Sequence, residues 1–129
     1  MSFPLLDYRQ QQGQFDRVVS IGMLEQVGPR NYDAYFDKVA GLLAADGMAV
    51  VHIVAVHGKA APVNRWLTKY IFPGGYLPLI EQLIRATERR RLKITDMEVM
   101  RCHYAETLRQ WRLRFLENHA KIEALYGPR

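Results

Sequence analysis

Phe15-Asp16-Arg17-Val18-Val19-Ser20-Ile21-Gly22-Met23-Leu24-Glu25-Gln26-Val27-Gly28 is the stretch on which the reading of this chain turns. Val18, Val19 and Ile21 crowd together without clean alternation, as in a buried parallel strand over Arg17 to Gly22. Gly22 ends that run, and Glu25 follows on the turn. Open α/β sheets bind ligands beyond the carboxyl ends of their strands, so a carboxylate there faces a site. No glycine-rich strand-turn-helix precedes the stretch.

Working outward, Gly28-Pro29 signals a turn and Asn31 is suited to cap a helix. Tyr32, Tyr35, Phe36, Val39, Leu42 and Leu43 then recur at helical spacing, and Asp46-Gly47 is expected to stop that helix. Met48 to Val56 reads as a second apolar strand, so residues 15–56 form a parallel βαβ unit of right-handed crossover. Residues 1–14 are polar and glutamine-rich, either an arm or an edge strand.

Residues 57–77 carry Pro62, Trp66, Tyr70, Ile71, Phe72, Pro73 and Tyr76, an aromatic, turn-rich insert that covers a pocket or packs on lipid. Over 78–129 the pattern predicts a helix from about Pro78 to Arg91, a third strand from Leu92 to Met100, and one long amphipathic helix. That helix runs through Tyr104, Leu108, Trp111, Phe115 and Ile122 to about Tyr126 and is closed by Gly127-Pro128.

The 129 residues suffice for one domain with a core, and 49% hydrophobic with 24% charged residues describe a globular protein rather than a disordered one. No apolar run approaches the roughly 20 residues of a membrane span. The start, Met1-Ser2-Phe3-Pro4, lacks the basic end and apolar stretch of a secretory signal. The lone Cys102 cannot form an internal disulfide, fits a reducing cytoplasm, and is expected to be a packed thiol.

The net charge of +5 is concentrated in Arg85, Arg89, Arg90, Arg91 and Lys93, and again in Arg109, Arg112 and Arg114. Such clusters are either solvated helix faces or contacts for an anionic partner, phospholipid headgroups or nucleic acid. No nucleic-acid motif supports the last option, and no zinc spacing or nucleophile elbow occurs. His103 and His119 have no evident partner and are expected at the surface.

Four ordered segments carry a specific resemblance. They are the opening stretch, Val51-His52-Ile53-Val54, the insert Trp66-Leu67-Thr68-Lys69-Tyr70-Ile71-Phe72-Pro73-Gly74-Gly75, and His103-Tyr104-Ala105-Glu106-Thr107-Leu108-Arg109-Gln110-Trp111. Together they resemble the later part of cyclopropane-fatty-acyl-phospholipid synthases, which are S-adenosylmethionine-dependent methyltransferases. The resemblance implies an α/β, partial Rossmann-like class I methyltransferase fold. It would have about three mainly parallel strands with helices and would lack the first strands, with their cofactor loop, and the last strand.

The chemistry so implied is methyl transfer to a cis double bond of a phospholipid acyl chain, then deprotonation and ring closure. By motif position Glu25, His52 and Tyr104, with the backbone near Val54, would hold a bound bicarbonate that serves as base. Gly22 and Met23 would border S-adenosylmethionine, whose main loop is absent. Tyr70, Phe72 and Tyr76 would line the acyl chain and shield a cation. Taken one by one, Glu25 would read as a helix-start or salt-bridge residue, His52 as a satisfied core histidine and Tyr104 as a core aromatic. Gln26 departs from the family, which usually has histidine there.

The resemblance further implies a cytoplasmic protein, peripheral at the inner membrane face. Unpaired strand edges imply self-association or missing portions of the domain. A non-catalytic lipid- or partner-binding remnant, or a methyltransferase for another hydrophobic substrate, are the alternative functions.

Overall fold

The computed structural model describes residues 3–58 and 63–127. The chain divides into two compact units, Met1–Ile94 and Thr95–Arg129.

In the first unit the strand-helix-strand reading holds. Strand β1, Phe15–Ile21, pairs in parallel with β2, Leu43–His52, and helix α2, Tyr32–Leu42, makes the crossover. The one-turn helix α1, Leu24–Val27, follows β1. Asn31 sits at the start of α2, but its side-chain amide donates back to the Val27 carbonyl at 2.8 Å rather than capping the helix.

The helix ends four residues earlier than Asp46-Gly47 suggested, because Leu43 turns extended and pairs with Phe15. Between Phe15↔Leu43 and Arg17↔Met48, one residue of β1, Asp16, faces four of β2, Ala44 to Gly47. The surplus is taken up where Gly47 folds back on Ala44. A Cβ on Gly47 would lie 2.9 Å from the Ala44 carbonyl oxygen, so a side chain there would collide with backbone.

The ladder Arg17↔Met48 to Ile21↔His52 gives each strand two faces. Val18 and Ser20, with Ala49 and Val51, are half-buried toward the core. The other face shows Val19 and Ile21, 62% and 70% exposed, beside Met48 and Val50. The buried strand read at Arg17 to Gly22 is therefore covered on one face only, because the core lies on a single side of the sheet. That core is Leu24, Tyr32, Tyr35, Phe36, Val39, Leu83 and Ala86, with Tyr8, Met23, Ile53, Tyr76 and Leu92 packed against it. Tyr35 and Phe36 meet edge to face, ring centroids 5.0 Å apart.

Residues before β1 form a 3-10 turn at Tyr8–Gln10 rather than an edge strand; the Asp7 carboxylate accepts from the Arg9 amide at 2.9 Å. Within the insert, α3 spans Arg65–Tyr70 and is started by Asn64, whose side chain accepts from the Trp66 amide. Pro62 lies outside the described residues.

Helix α4, Ile80–Arg89, is joined to α2 by Arg89–Asp33 at 3.1 Å and by an Arg90–Asp37 ion pair. It ends with Arg91 in the left-handed region at φ 57. The Leu92 amide returns to the Thr87 carbonyl and the Arg91 amide to that of Glu88, a Schellman closure.

The third strand expected at Leu92 to Met100 does not form: among the described residues the sheet has two strands. Strand structure needs a ladder partner, and here the backbone is engaged locally instead. The Asp96 carboxylate accepts from the amide of Met97 at 2.8 Å.

The second unit holds α5, Arg101–Glu117, and α6, His119–Tyr126, not one continuous helix. The break falls at Asn118, whose side-chain amide donates at 2.9 Å to the Arg114 carbonyl that its own backbone amide also reaches at 3.2 Å. Gly127 closes α6 at φ 78 as its composition suggested; Pro128 lies outside the described residues. Cys102 is exposed rather than packed, because it falls in the first turn of α5, which has no buried residue. His103 and His119 are exposed.

Phe36→Ala is expected to lower unfolding free energy by about 3–5 kcal/mol in urea titration, whereas Val19→Thr stays within about 0.5 kcal/mol. Arg91→Gly, relieving a left-handed non-glycine residue, is expected to add about 1 kcal/mol. Equal effects of Phe36→Ala and Val19→Thr would contradict the one-sided core.

Candidate active site

Glu25 is placed by the end of β1. The Gly22 amide donates to the His52 carbonyl at 3.0 Å, prolonging the ladder by one bond, and Gly22 then turns the chain at φ 59. That turn sets Glu25 on α1, where it is 9% exposed in spite of its charge. Its Oε1 accepts from the Val54 amide at 2.6 Å, just past the end of β2. Its Oε2 is buried without a partner. The Glu25 backbone carbonyl accepts from the Tyr76 amide at 2.9 Å.

One carboxylate residue thus ties together three segments: the turn after β1, the chain leaving β2, and the end of the insert. The tie continues beyond it. The Tyr76 hydroxyl donates to Gln82 Oε1 at 3.2 Å, and the same oxygen accepts from the Leu79 amide at 3.0 Å at the start of α4. The Val56 amide donates to the Pro78 carbonyl at 2.9 Å.

Around this junction the structure places the other site residues as follows. His52 ends β2 on the exposed face, paired in register with Ile21, and makes no hydrogen bond to Glu25. Gly22 and Met23 border a cavity of about 500 Å³, shared with Ser20, Gln26, Tyr35 and Lys38. Tyr76 lies half-buried beside Glu25, while Tyr70 and Phe72 are exposed in the insert. Trp66 and Tyr70 form an aromatic pair with centroids 6.0 Å apart, and Lys69 lies over the Tyr70 ring. Tyr104 is exposed on α5, in the second unit.

The sequence reading took Tyr32 and Tyr35 for core aromatics of a helical stripe, and both are indeed buried in the core. It missed that both hydroxyls are buried without a partner. Burial pushes the Tyr32 hydroxyl up to about 12, with Tyr76 and Glu25 adding to the shift by their charge. Burial likewise raises that of Tyr35, opposed by the nearby Ser20. A polar tip on an otherwise apolar stripe was the only available signal, and tyrosine in a core is too common to single out.

The arginine cluster is partly structural, since Arg89 and Arg90 are taken by Asp33 and Asp37, while Arg85, Arg91 and Lys93 have no ion pair among the described residues. Arg109 pairs with Glu106 on its own helix. Among the described residues no group of three His, Cys, Asp or Glu side chains is placed to hold a metal, and no helix is long and apolar enough to cross a membrane.

A parallel strand-helix-strand unit with a carboxylate at the strand ends fits a class I methyltransferase fold, and solved structures share that fold. The mycolic acid cyclopropane synthase CmaA1 complexed with SAH and CTAB superposes with a TM-score of 0.83 at 29% identity, over 96% of this chain and 48% of that one. The cyclopropane synthase MmaA2 from Mycobacterium tuberculosis shares the fold with a TM-score of 0.82 at 24% identity, over 98% of this chain and 51% of that one.

The chain belongs to the mycolic acid cyclopropane synthetase family, whose model matches residues 2–129. It is 38% identical over 125 residues to the cyclopropane-fatty-acyl-phospholipid synthase of Escherichia coli (strain K12), covering 97% of this chain and 32% of that protein. It is 42% identical over 118 residues to the tuberculostearic acid methyltransferase UfaA1 of Mycobacterium tuberculosis, covering 88% of this chain and 28% of that protein. The chain therefore spans about a third of the length of these curated relatives.

A tyrosine whose hydroxyl holds its proton more tightly folded than unfolded stabilises the protein fully below its ordinary value of 10.0. That contribution is lost as pH rises through about 12. The urea midpoint is expected to fall more steeply across this range in the parent protein than in Tyr32→Phe. Parallel slopes would contradict a buried Tyr32 hydroxyl.

Proposed function

We propose that this chain forms part of an enzyme that transfers the S-adenosylmethionine methyl group to a cis double bond of phospholipid acyl chains, with ring closure after loss of a proton. The observation that carries this reading is Glu25: a buried carboxylate, one oxygen fixed by the Val54 amide and the other free of partners, at the carboxyl ends of two parallel strands. The similarity to a cyclopropane-fatty-acyl-phospholipid synthase supports phospholipid acyl chains as the substrate class.

S-adenosylmethionine supplies an electrophilic methyl group when bound. Of the residues present, Gly22 and Met23 fit its border, since they edge the cavity that runs along β1 and α2. Gln26 lines the same cavity and stands where the family usually has histidine. The proton lost from the alkylated chain would be taken at a small oxyanion, hydrogen carbonate. Its own O–H fits Glu25 Oε2, an acceptor with no donor, and His52 is a further holder by motif position. Tyr76, beside Glu25, and Tyr70 and Phe72 would offer ring faces to the cationic chain and keep water from it.

The exposed cations Arg85, Arg91 and Lys93 suit anionic headgroups, which fits a protein peripheral at the cytoplasmic face of the membrane. The uncovered apolar sheet face of Val19, Ile21, Met48 and Val50 favours association with a second copy or with further protein.

Incubation of the complete enzyme of which this chain forms part with S-adenosylmethionine and vesicles of unsaturated phosphatidylethanolamine is expected to yield acyl chains heavier by one CH₂, read by mass spectrometry. Glu25→Gln is expected to cut that turnover by about 10²–10⁴-fold, as for loss of acid–base catalysis, and to leave calorimetric affinity for the demethylated cofactor within about twofold. Unchanged turnover sinks the role of Glu25. Binding to lipid with neither turnover nor cofactor affinity in the parent protein identifies a non-catalytic module instead.

A further inference from the structure

Arg85 and Arg89 lie one turn apart on α4 and line, with Gln82 of the same helix and Asp33 of α2, a groove of about 180 Å³. The groove is preformed, because α2 and α4 are tied by the Arg89–Asp33 pair and again by Arg90–Asp37. Buried Tyr32 and Ala86 complete its wall.

Its side-chain polar groups are mostly donors. Arg89 reaches both Asp33 oxygens through Nη1 alone, at 3.1 and 3.4 Å. That neutralises the carboxylate and leaves Nε and Nη2 of Arg89 without a partner among the described residues. Arg85 forms no ion pair among the described residues, neither with Glu81 one turn before it nor with Glu88 after it.

Gln82 is oriented from its other end. Its Oε1 accepts from the Leu79 amide at 3.0 Å, and a backbone N–H only donates, so the carbonyl end of the side chain is fixed there. The Tyr76 hydroxyl donates to the same oxygen at 3.2 Å. Nε2 has no partner among the described residues and is the end left for the groove.

Two guanidinium groups and an amide thus share the groove with one carboxylate that is already paired. The groove carries a surplus positive charge and lacks an acceptor. The ligand that fits is a compact anion with several acceptor oxygens. Guanidinium forks match phosphate oxygens two at a time, and a tetrahedral phosphate has further oxygens for the Gln82 amide. A carboxylate presents only two oxygens, in one plane. Gln82 also links the groove to the candidate site: it holds the Tyr76 hydroxyl, and the Tyr76 amide holds the Glu25 carbonyl.

We propose that Arg85, Arg89 and Gln82 bind a phosphate group in the groove between α2 and α4. A phospholipid headgroup and free phosphate share that chemistry. The link through Gln82 and Tyr76 favours the headgroup of a lipid whose acyl chain reaches Glu25. That source rests on the function proposed above, whereas the phosphate site does not.

The test is protection of Arg85 and Arg89 from phenylglyoxal in the complete enzyme of which this chain forms part, read by mass spectrometry of its peptides. Sodium phosphate is expected to slow modification of both at least about fivefold and to leave Arg112, exposed on α5, unprotected. Arg85→Lys keeps the charge and removes the fork. The phosphate concentration that half-protects Arg89 is expected to rise at least about fivefold in Arg85→Lys, but less than about twofold in Arg112→Gln, which removes a charge elsewhere.

Phosphatidylcholine vesicles containing phosphatidylglycerol are expected to protect Arg85, and vesicles given the same negative charge by oleate are not. Protection by sodium phosphate but by neither vesicle identifies free phosphate as the source and supports the site. Equal protection by both vesicles with none by sodium phosphate is the response of a merely basic surface and overturns it, as do equal effects of Arg85→Lys and Arg112→Gln. Protection by phosphate in an enzyme that never alkylates lipid overturns the proposed function and leaves the phosphate site standing; alkylation without protection does the reverse.

Discussion

The hydrogen bond from the Val54 amide to the Glu25 carboxylate, 2.6 Å long, is the contact on which the rest of the first unit depends. The parallel ladder proper stops at Ile21↔His52. Beyond that pair the two chains would diverge, one into α1 and one toward the insert. The carboxylate closes this opening from inside, and a charged acceptor makes the bond stronger than a neutral one would be. It also fixes α1 against the core, where Leu24 is wholly buried beside it. The same residue's carbonyl anchors Tyr76, so the insert's far end is held to the strand ends as well.

That arrangement has a chemical corollary. A buried carboxylate with both oxygens saturated by backbone would be a structural strut. Here one oxygen is saturated and the other is not. The half-satisfied state is costly for folding alone, and it suits a site that must take up and release a small ligand. The neighbouring Leu24 is wholly buried and the Tyr76 amide is bonded to the Glu25 carbonyl, so Glu25 sits in surroundings of low polarity that strengthen whatever the free oxygen binds.

Much of this was legible in the sequence, and the failures have physical causes. Glu25 stood out because a charged residue one short turn past a β-branched run and its closing glycine is placed by the strand, not by solvent. The strand-helix-strand order followed from hydrophobic spacing. Ala44 to Gly47 misled because Asp-Gly commonly ends helices, yet here the glycine is needed for close backbone approach inside β2. Leu92 to Met100 has strand-like residues, but a strand exists only through its partner, and composition does not report whether one is present. The last helix divides at Asn118, whose side-chain amide shares the Arg114 carbonyl with its own backbone amide, a local competition that a periodicity argument ignores. The partnerless hydroxyl of Tyr32 was hidden for a different reason: its ring obeys the apolar stripe, and only its last atom does not.

The most direct test of the Glu25–Val54 tie is amide hydrogen exchange at Val54, followed by NMR. This amide lies past the last ladder pair, so nothing in the sheet protects it; the carboxylate alone does. In the parent protein its exchange should be slow, close to that of the Gly22 amide, which donates to the His52 carbonyl. In Glu25→Ala the Val54 amide should exchange at least about tenfold faster relative to Gly22. Fast exchange at Val54 in the parent protein, or equal protection with and without the Glu25 carboxylate, would contradict a fold and a site built on that bond.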